Sequence, residues 1–188
     1  MTPLRFAVLF AGLAIFAAIV WAVRFHFQAT SRSPRFLALS AASAINAFMF
    51  GRELWLRSKP EIQLLVALAL MLIAGGLFAS ALIASRKARL KLIYDPDAPQ
   101  HILQDGPYRF IRHPFYTSYI VYWTACAVAT AHPINIAYAV AVTIVLALAA
   151  RTEEQGFAGS PIASAYDRYR EQAGMLWPKF PGVPHSGS

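Results

Sequence analysis

Residues 104–116 read Gln-Asp-Gly-Pro-Tyr-Arg-Phe-Ile-Arg-His-Pro-Phe-Tyr and stand directly before a long apolar segment. Gly106-Pro107 predicts a turn, and Pro114 suits the first position of a helix, where its missing N–H would be unpaired anyway. Within nine residues the stretch also supplies donors, acceptors and aromatic faces from Tyr108, Arg109, Arg112, His113 and Tyr116. A membrane-entry loop needs only a turn and a few basic anchors. This stretch therefore carries chemistry beyond anchoring.

The rest of the chain is strongly apolar. Hydrophobic residues make up 57% of it and charged residues only 14%, whereas soluble domains have about 25% charged residues. The apolar residues form blocks, and crossing a bilayer takes roughly twenty such residues per helix. Most blocks lack the polar face with a period of 3.6 that surface helices of soluble proteins show. We predict an all-α integral membrane protein.

Five blocks are predicted to be transmembrane helices within a single membrane domain that covers residues 1–188. Their approximate ranges are 6–23, 36–51, 62–84, 115–131 and 133–150. Only the turn at His132-Pro133 separates the last two blocks, which predicts a tight helical hairpin. The polar remainder predicts a helix that begins at Ser160-Pro161, followed by a tail. Tyr166 and Tyr169 would share one face of that helix, in packing and interface positions.

Basic residues predict the orientation. The chain has 17 Lys and Arg against nine Asp and Glu, a net charge of +8. If the first connector, the loop 86–112 and the tail share one side, that side holds 13 of the 17 basic residues. The positive-inside rule then places the loop and the tail in the cytoplasm and the N-terminus outside. Anionic lipid headgroups explain the basic excess better than nucleic acid does, since the charges lie between apolar blocks.

The hairpin should bring two polar clusters together. One cluster is the stretch that ends at Tyr116, and the other follows the fifth span at Arg151, Glu153 and Glu154. The two helices of the hairpin have similar predicted lengths, so their cytoplasmic ends must lie close to each other. A basic, aromatic cluster thus meets two adjacent carboxylates at the lipid boundary. Taken alone, Arg109 and Arg112 are expected to be anchors at the headgroups.

The residues 112–116, Arg-His-Pro-Phe-Tyr, followed after one hairpin by Glu153-Glu154, resemble a known signature. It is the Arg-His-Pro-x-Tyr…Glu-Glu signature of isoprenylcysteine carboxyl methyltransferases, which related phospholipid methyltransferases and some membrane sterol reductases share. The resemblance covers roughly the C-terminal half of the chain. Ser118 stands where many members of the family have glycine.

The resemblance implies S-adenosylmethionine as cofactor, S-adenosylhomocysteine as product, and no metal. It implies main-chain contacts from residues 100–103 and a pocket lined by aromatic and acidic side chains. Glu154 is the preferred ligand for a polar group of the cofactor, and Arg151 is the catalytic candidate nearer the substrate. The cofactor-binding residues implied are Gln100, His101, Ile102, Leu103, Tyr108, His113, Pro114, Phe115, Tyr116, Glu153 and Glu154.

The implied acceptor is membrane-associated or lipid-like, either a lipophilic small molecule or a prenylated protein. O-methylation of a carboxylate is favoured, because Arg151 could hold that group with two parallel hydrogen bonds. The sequence leaves the oligomeric state open. One alternative is an NADPH-dependent membrane reductase of the sterol reductase type, with Arg109 and Arg112 at the phosphate. The other is a transporter or structural membrane protein, although the span centres lack the ionisable residues typical of transporters of charged solutes.

Overall fold

The structure, a computed structural model, describes residues 2–26, 34–94, 102–157 and 161–180. These residues form six α-helices and no β-strand, which confirms the all-α prediction for this part of the chain. The helices are α1 Pro3–Trp21, α2 Pro34–Leu56, α3 Glu61–Tyr94, α4 Pro114–Thr130, α5 Pro133–Gly156 and α6 Ala163–Gln172. A π-helical turn, Ala22–His26, continues α1, and a 3-10 turn, Gly106–Arg109, precedes α4.

Three helical segments in the described residues are long and apolar enough to cross a membrane: Pro3–Phe25, Glu61–Lys87 and Pro133–Gly156. They correspond to the first, third and fifth predicted spans. Many of their large apolar side chains are exposed, including Phe10 and Leu72, as expected for surfaces that contact lipid. The helices α2 and α4 include nearly all of the other two predicted blocks, but their crossing of the membrane stays a prediction.

Several helices extend beyond the predicted spans: α2 ends at Leu56 and not near 51, and α5 ends at Gly156 and not near 150. The helix α3 continues ten residues past the predicted span, to Tyr94, because the Arg, Lys and Leu residues that follow are good helix formers. The helix α6 begins at Ala163 with Ile162 as its N-cap, so the predicted start at Ser160-Pro161 is wrong. Pro161 and Ile162 form a turn instead, and Ser160 lies outside the described residues.

The chain divides into two compact units. Unit 1 contains Met1–Gly75 and Ile120–Thr143, and unit 2 contains Gly76–Tyr119 and Ile144–Ser188. In unit 1, the buried Tyr122 hydroxyl donates a hydrogen bond to the Gly12 carbonyl at 3.1 Å. Gly12 also lets the Phe50 ring pack closely against α1, since a Cβ at Gly12 would lie 2.6 Å from that ring. A single membrane domain over residues 1–188 stays a prediction.

Side chains satisfy the carbonyls at helix ends in unit 1, where a helix leaves acceptors unpaired. Arg5 donates to the carbonyls of Leu54 and Trp55 at the end of α2. Gln63 Nε2 donates to the Val128 carbonyl, near the end of α4, at 2.7 Å. The ends of α2 and α4 and the starts of α1 and α3 therefore meet at one end of this unit. Ala131 and His132 alone separate α4 from α5, as the sequence predicts.

Candidate active site

The stretch 104–116 lies in unit 2, and a turn at Gly106 sets its path. Gly106 has a φ of +59°, a left-handed conformation that glycine adopts without the steric cost other residues incur. A Cβ at this position would also lie 3.5 Å from the Cβ of Ala84 on α3. The 3-10 turn that follows leads the chain into α4 at Pro114.

The C-terminal segment holds the main chain just before α4. The Gly174 N–H donates to the Phe110 carbonyl at 3.0 Å, and the Arg112 N–H donates to the Gly174 carbonyl at 2.8 Å. The His113 N–H donates to the Met175 carbonyl at 3.1 Å. These bonds form a short parallel bridge between Ile111 and Gly174. They fix the backbone from which the Arg112 and His113 side chains project.

Arg112 and Glu154 form a two-pronged ion pair. Arg112 Nε donates to Glu154 Oε1 at 2.8 Å, and Nη2 donates to Oε2 at 3.0 Å. Each side chain is only 9% exposed. The remaining guanidinium nitrogen donates to the carbonyls of Arg170 and Ala173 at the end of α6. Arg112 is therefore not the headgroup anchor that the sequence suggested, since its charge is directed into unit 2 and neutralised there.

His113 stands between the two carboxylates of α5. Its Nε2 lies 3.1 Å from Glu154 Oε1, and its Nδ1 lies 3.6 Å from Glu153 Oε2. The Tyr116 hydroxyl donates to the other oxygen of Glu153. The imidazole and phenol rings stack with their centroids 5.4 Å apart and their planes within 6°. The two polar clusters thus meet, as the hairpin predicted.

The two carboxylates differ in exposure. Glu153 is 50% exposed, whereas Glu154 is 9% exposed. Both oxygens of Glu154 already accept hydrogen bonds from Arg112, and Arg170 Nε lies 3.7 Å from Oε2. A carboxylate has about four acceptor positions. Glu154 is thus nearly saturated by protein donors, while Glu153 keeps an accessible edge.

An aromatic cluster supports the site. Tyr166, Tyr169 and Ala173 are buried together, with Ile102 and Phe157 packed against them. The Tyr169 hydroxyl donates to the Tyr108 carbonyl at 2.6 Å. Burial raises the pKa of the Tyr166 hydroxyl to about 12, and burial likewise raises the pKa of Tyr108 to about 12. Both phenols therefore stay neutral near pH 7.

The other candidates from the sequence have varied surroundings. Phe115 is buried, with its ring 5.7 Å from that of Phe78, and Pro114 begins α4. Ile102 and Leu103 are half-buried, and Gln100 and His101 lie outside the described residues. Arg151 is exposed on α5, and no side-chain hydrogen bond or ion pair joins it to another described residue.

The structure adds two residues that are not among the cofactor-binding residues implied by the resemblance. Arg112 and Arg170 both approach Glu154. The adjacent carboxylates at the end of an apolar span were a signal for Arg112, since a buried carboxylate needs a cationic partner. No sequence signal pointed to Arg170. Among the described residues, no group of His, Cys, Asp and Glu is arranged to hold a metal ion.

Comparison with known proteins identifies the family. The family model for phospholipid methyltransferases matches residues 63–159, slightly more than half of the chain. This range includes α4, α5 and both members of the Arg112–Glu154 pair. No curated protein and no solved structure matches the chain. The family match agrees with the resemblance seen in the sequence and favours neither the reductase nor the transporter. The chain therefore belongs to the phospholipid methyltransferase family, which makes it a membrane methyltransferase.

Proposed function

We propose that this protein transfers a methyl group from S-adenosylmethionine to a lipid-like acceptor in the membrane. The observation that carries the proposal is the stacked His113–Tyr116 pair set against the two carboxylates of α5. When bound, S-adenosylmethionine supplies an electrophilic methyl group on a sulfonium. The protein's task is then to align donor and acceptor, and alignment alone contributes much of the rate of such a reaction.

The side chains present fit this cofactor. The stacked rings of His113 and Tyr116 offer flat faces to an adenine or to a cation, and a cation over an aromatic face gains about 0.5–2 kcal/mol. Glu153 is half-exposed and can accept hydrogen bonds from hydroxyl or ammonium groups. Arg170 is 54% exposed and can donate to the carboxylate of the amino acid moiety. Anionic, cationic and aromatic groups thus lie together, as a nucleoside that carries both positive and negative groups requires.

We assign different roles to the two carboxylates. Glu154 is the preferred cofactor ligand on sequence grounds, but its oxygens are bonded to Arg112 and His113. In our proposal it positions those two side chains and contacts the cofactor through at most one remaining lone pair. Glu153, with its accessible edge, contacts the cofactor directly. Tyr108, Pro114 and Phe115 shape the wall of the pocket, and residues 100–103 supply main-chain contacts.

Two acceptor chemistries are compatible with the site. A carboxylate acceptor needs no base, because it is already ionised at pH 7, and the exposed Arg151 guanidinium could hold it. An aminophospholipid acceptor, which is compatible with the family description, must lose an ammonium proton before it can attack. Glu153 is the accessible carboxylate beside His113 and would accept that proton. We retain O-methylation as the first hypothesis and N-methylation as the second.

One experiment tests the activity and separates the acceptors. Purified protein is incubated with methyl-labelled S-adenosylmethionine and a membrane lipid extract, and the lipids are then treated with mild alkali. We expect label in the lipid fraction that depends on the protein. Hydrolysis of a methyl ester releases the label as volatile methanol, whereas an N-methyl group keeps the label on a nonvolatile headgroup. Absence of labelled lipid with wild-type protein, in extracts that support another membrane methyltransferase, would contradict the proposal.

A binding measurement separates the proposal from the reductase alternative. Calorimetric titration of the purified protein should show heat with S-adenosylhomocysteine and none with NADPH. Binding of NADPH alone would favour the reductase. This measurement needs no acceptor, so it remains informative while the acceptor is unidentified.

We also propose the full topology: five membrane spans, the site in the cytoplasm and the N-terminus outside. The buried Cys126 is the only cysteine, so its replacement by alanine gives a background for labelling. Lys179→Cys and Arg57→Cys then report the two sides through a membrane-impermeant maleimide. Intact cells should label the cysteine at position 57, and inverted vesicles should label the one at 179. The opposite pattern would reverse the orientation.

A further inference from the structure

An open groove of about 510 Å³ lies between α1 and α2 in unit 1. Pockets for small ligands have volumes of roughly 300–1,000 Å³, so the groove is of ligand size. All of its lining residues are apolar except one arginine: Leu9, Leu13, Ala47, Phe48, Gly51, Arg52, Trp55 and Leu56. Phe48 and Trp55 are more than 60% exposed, so the groove opens outward from this unit.

A glycine gives the groove its depth. Phe48, Gly51 and Trp55 recur at helical spacing and therefore lie on one face of α2. A Cβ at Gly51 would approach only the Leu9 side chain, at 3.8 Å. A larger side chain at this position would project into the groove without a clash against the helix backbone. The groove is thus a gap between two helices that a slender apolar chain could fill.

The charge at the groove is positive. Arg52 Nη1 lies 3.3 Å from Glu53 Oε1. The same carboxylate, 2% exposed, also lies 3.4 Å from Arg57 Nε and 4.0 Å from Lys59 Nζ. Three cations therefore share one anion. Arg52 remains 49% exposed, so its guanidinium is accessible to a second anion.

We propose that this groove binds one acyl chain of an anionic phospholipid, with the lipid's phosphate held by Arg52. A guanidinium matches the geometry of a phosphate better than an ammonium does. Trp55 stands beside Arg52, and tryptophan is enriched at the depth of lipid headgroups. The excess of positive charge selects a headgroup with net negative charge over a zwitterionic one. The inference is independent of the proposed methyl transfer, since α1 and α2 carry none of the candidate catalytic residues.

Native mass spectrometry of the protein tests the site. The protein is purified with equal amounts of phosphatidylglycerol and phosphatidylcholine of the same acyl chains. We expect phosphatidylglycerol to be retained preferentially by the wild type. Arg52→Gln should weaken that retention by about tenfold, the equivalent of one hydrogen bond to a charged group. Arg57→Gln is the matched control, since Arg57 shares the Glu53 carboxylate but does not line the groove, and it should retain the lipid.

A second variant tests the apolar half of the site without changing any charge. Gly51→Leu should fill the groove and reduce the retention of both lipids. Equal retention of the two lipids by the wild type would overturn the charge selection. Equal loss in Arg52→Gln and Arg57→Gln would indicate diffuse attraction instead of a site. Unchanged lipid binding in Gly51→Leu would show that the acyl chain does not occupy the groove.

Discussion

Arg112 and Glu154 lie 42 residues apart in the chain and meet through two nearly parallel hydrogen bonds of 2.8 and 3.0 Å. The pair joins the residues just before α4 to the last turns of α5. Because both side chains are only 9% exposed, the cost of removing their hydration offsets much of their attraction. The pair therefore adds little net stability, but it fixes the position of each partner. Loss of one partner would leave the other charge buried and unpaired.

We expect Arg112→Lys to weaken the binding of S-adenosylhomocysteine by roughly 10–100-fold. A lysine keeps the positive charge, but its compact ammonium cannot make the two parallel hydrogen bonds that the planar guanidinium of arginine makes. At least one charge-assisted hydrogen bond is lost, and such a bond contributes about 1.5–3 kcal/mol. The carbonyls of Arg170 and Ala173 lose their donor as well. Isothermal titration calorimetry measures the change.

Arg109→Lys provides the control for this experiment. Arg109 is three residues earlier, is exposed, and has its guanidinium 5.9 Å from the Phe110 ring centroid. Its replacement should change the affinity less than about twofold, since exposed substitutions usually matter little. Equal losses in the two variants would show that the effect does not depend on the ion pair with Glu154, and unchanged affinity in Arg112→Lys would show that positive charge alone is enough for binding.

The hairpin could be predicted from the sequence, but the pairing of Arg112 with Glu154 in particular could not, although the two carboxylates signalled the need for a cation. Two helices of similar length joined by two residues must bring their far ends together, so the meeting of His113 with Glu153 and Glu154 followed from span lengths. An arginine next to an apolar span is more often a lipid anchor, which made the anchor the reasonable expectation for Arg112. The main-chain bonds between Phe110 and Gly174 are long-range contacts. They left no periodicity or motif in the sequence.

Glu153→Gln and Glu154→Gln should affect different properties: the first cofactor affinity, and the second the stability of the fold. Glu154→Gln leaves the Arg112 guanidinium buried without a counter-charge, which costs about 3–5 kcal/mol in comparable buried pairs. It should therefore lower the unfolding temperature clearly. Glu153 is half-exposed, so its neutral variant should fold normally and lose about tenfold in cofactor affinity. Thermal unfolding and calorimetry on the same preparations separate the two effects.

The outcome distinguishes positioning from direct contact. If Glu154→Gln unfolds at the wild-type temperature and Glu153→Gln does not, the assigned roles are reversed. If both variants lose affinity equally with unchanged unfolding temperatures, both carboxylates contact the cofactor directly. Glu171→Gln, an exposed neutralisation on α6, should match the wild type in both measurements.

Gly174→Ala should detach the C-terminal segment from the site. A Cβ at Gly174 would lie 2.0 Å from the Trp177 carbonyl oxygen and 3.4 Å from the Lys179 nitrogen. Relief of that clash must move backbone that bonds to Phe110, so we expect a lower unfolding temperature and lost cofactor binding. Gly156→Ala is the matched control, because a Cβ there meets nothing within 4 Å. Retained binding in Gly174→Ala would show that this segment does not support the site.

Asn46 is buried in unit 1, and neither polar atom of its side chain has a hydrogen-bond partner among the residues that the structure describes. A buried unsatisfied polar group costs about 1–3 kcal/mol, and leucine has a similar size without that cost. We therefore expect Asn46→Leu to raise the unfolding temperature of the detergent-solubilised protein by a few degrees, about 2–4 °C per kcal/mol in a chain of this length. Ser43→Ala, one turn earlier, is the control: Ser43 Oγ lies 2.6 Å from the Tyr138 hydroxyl, so its removal should lower the temperature. Equal destabilisation by both variants would mean that Asn46 has a partner, such as an enclosed water that bonds to its amide.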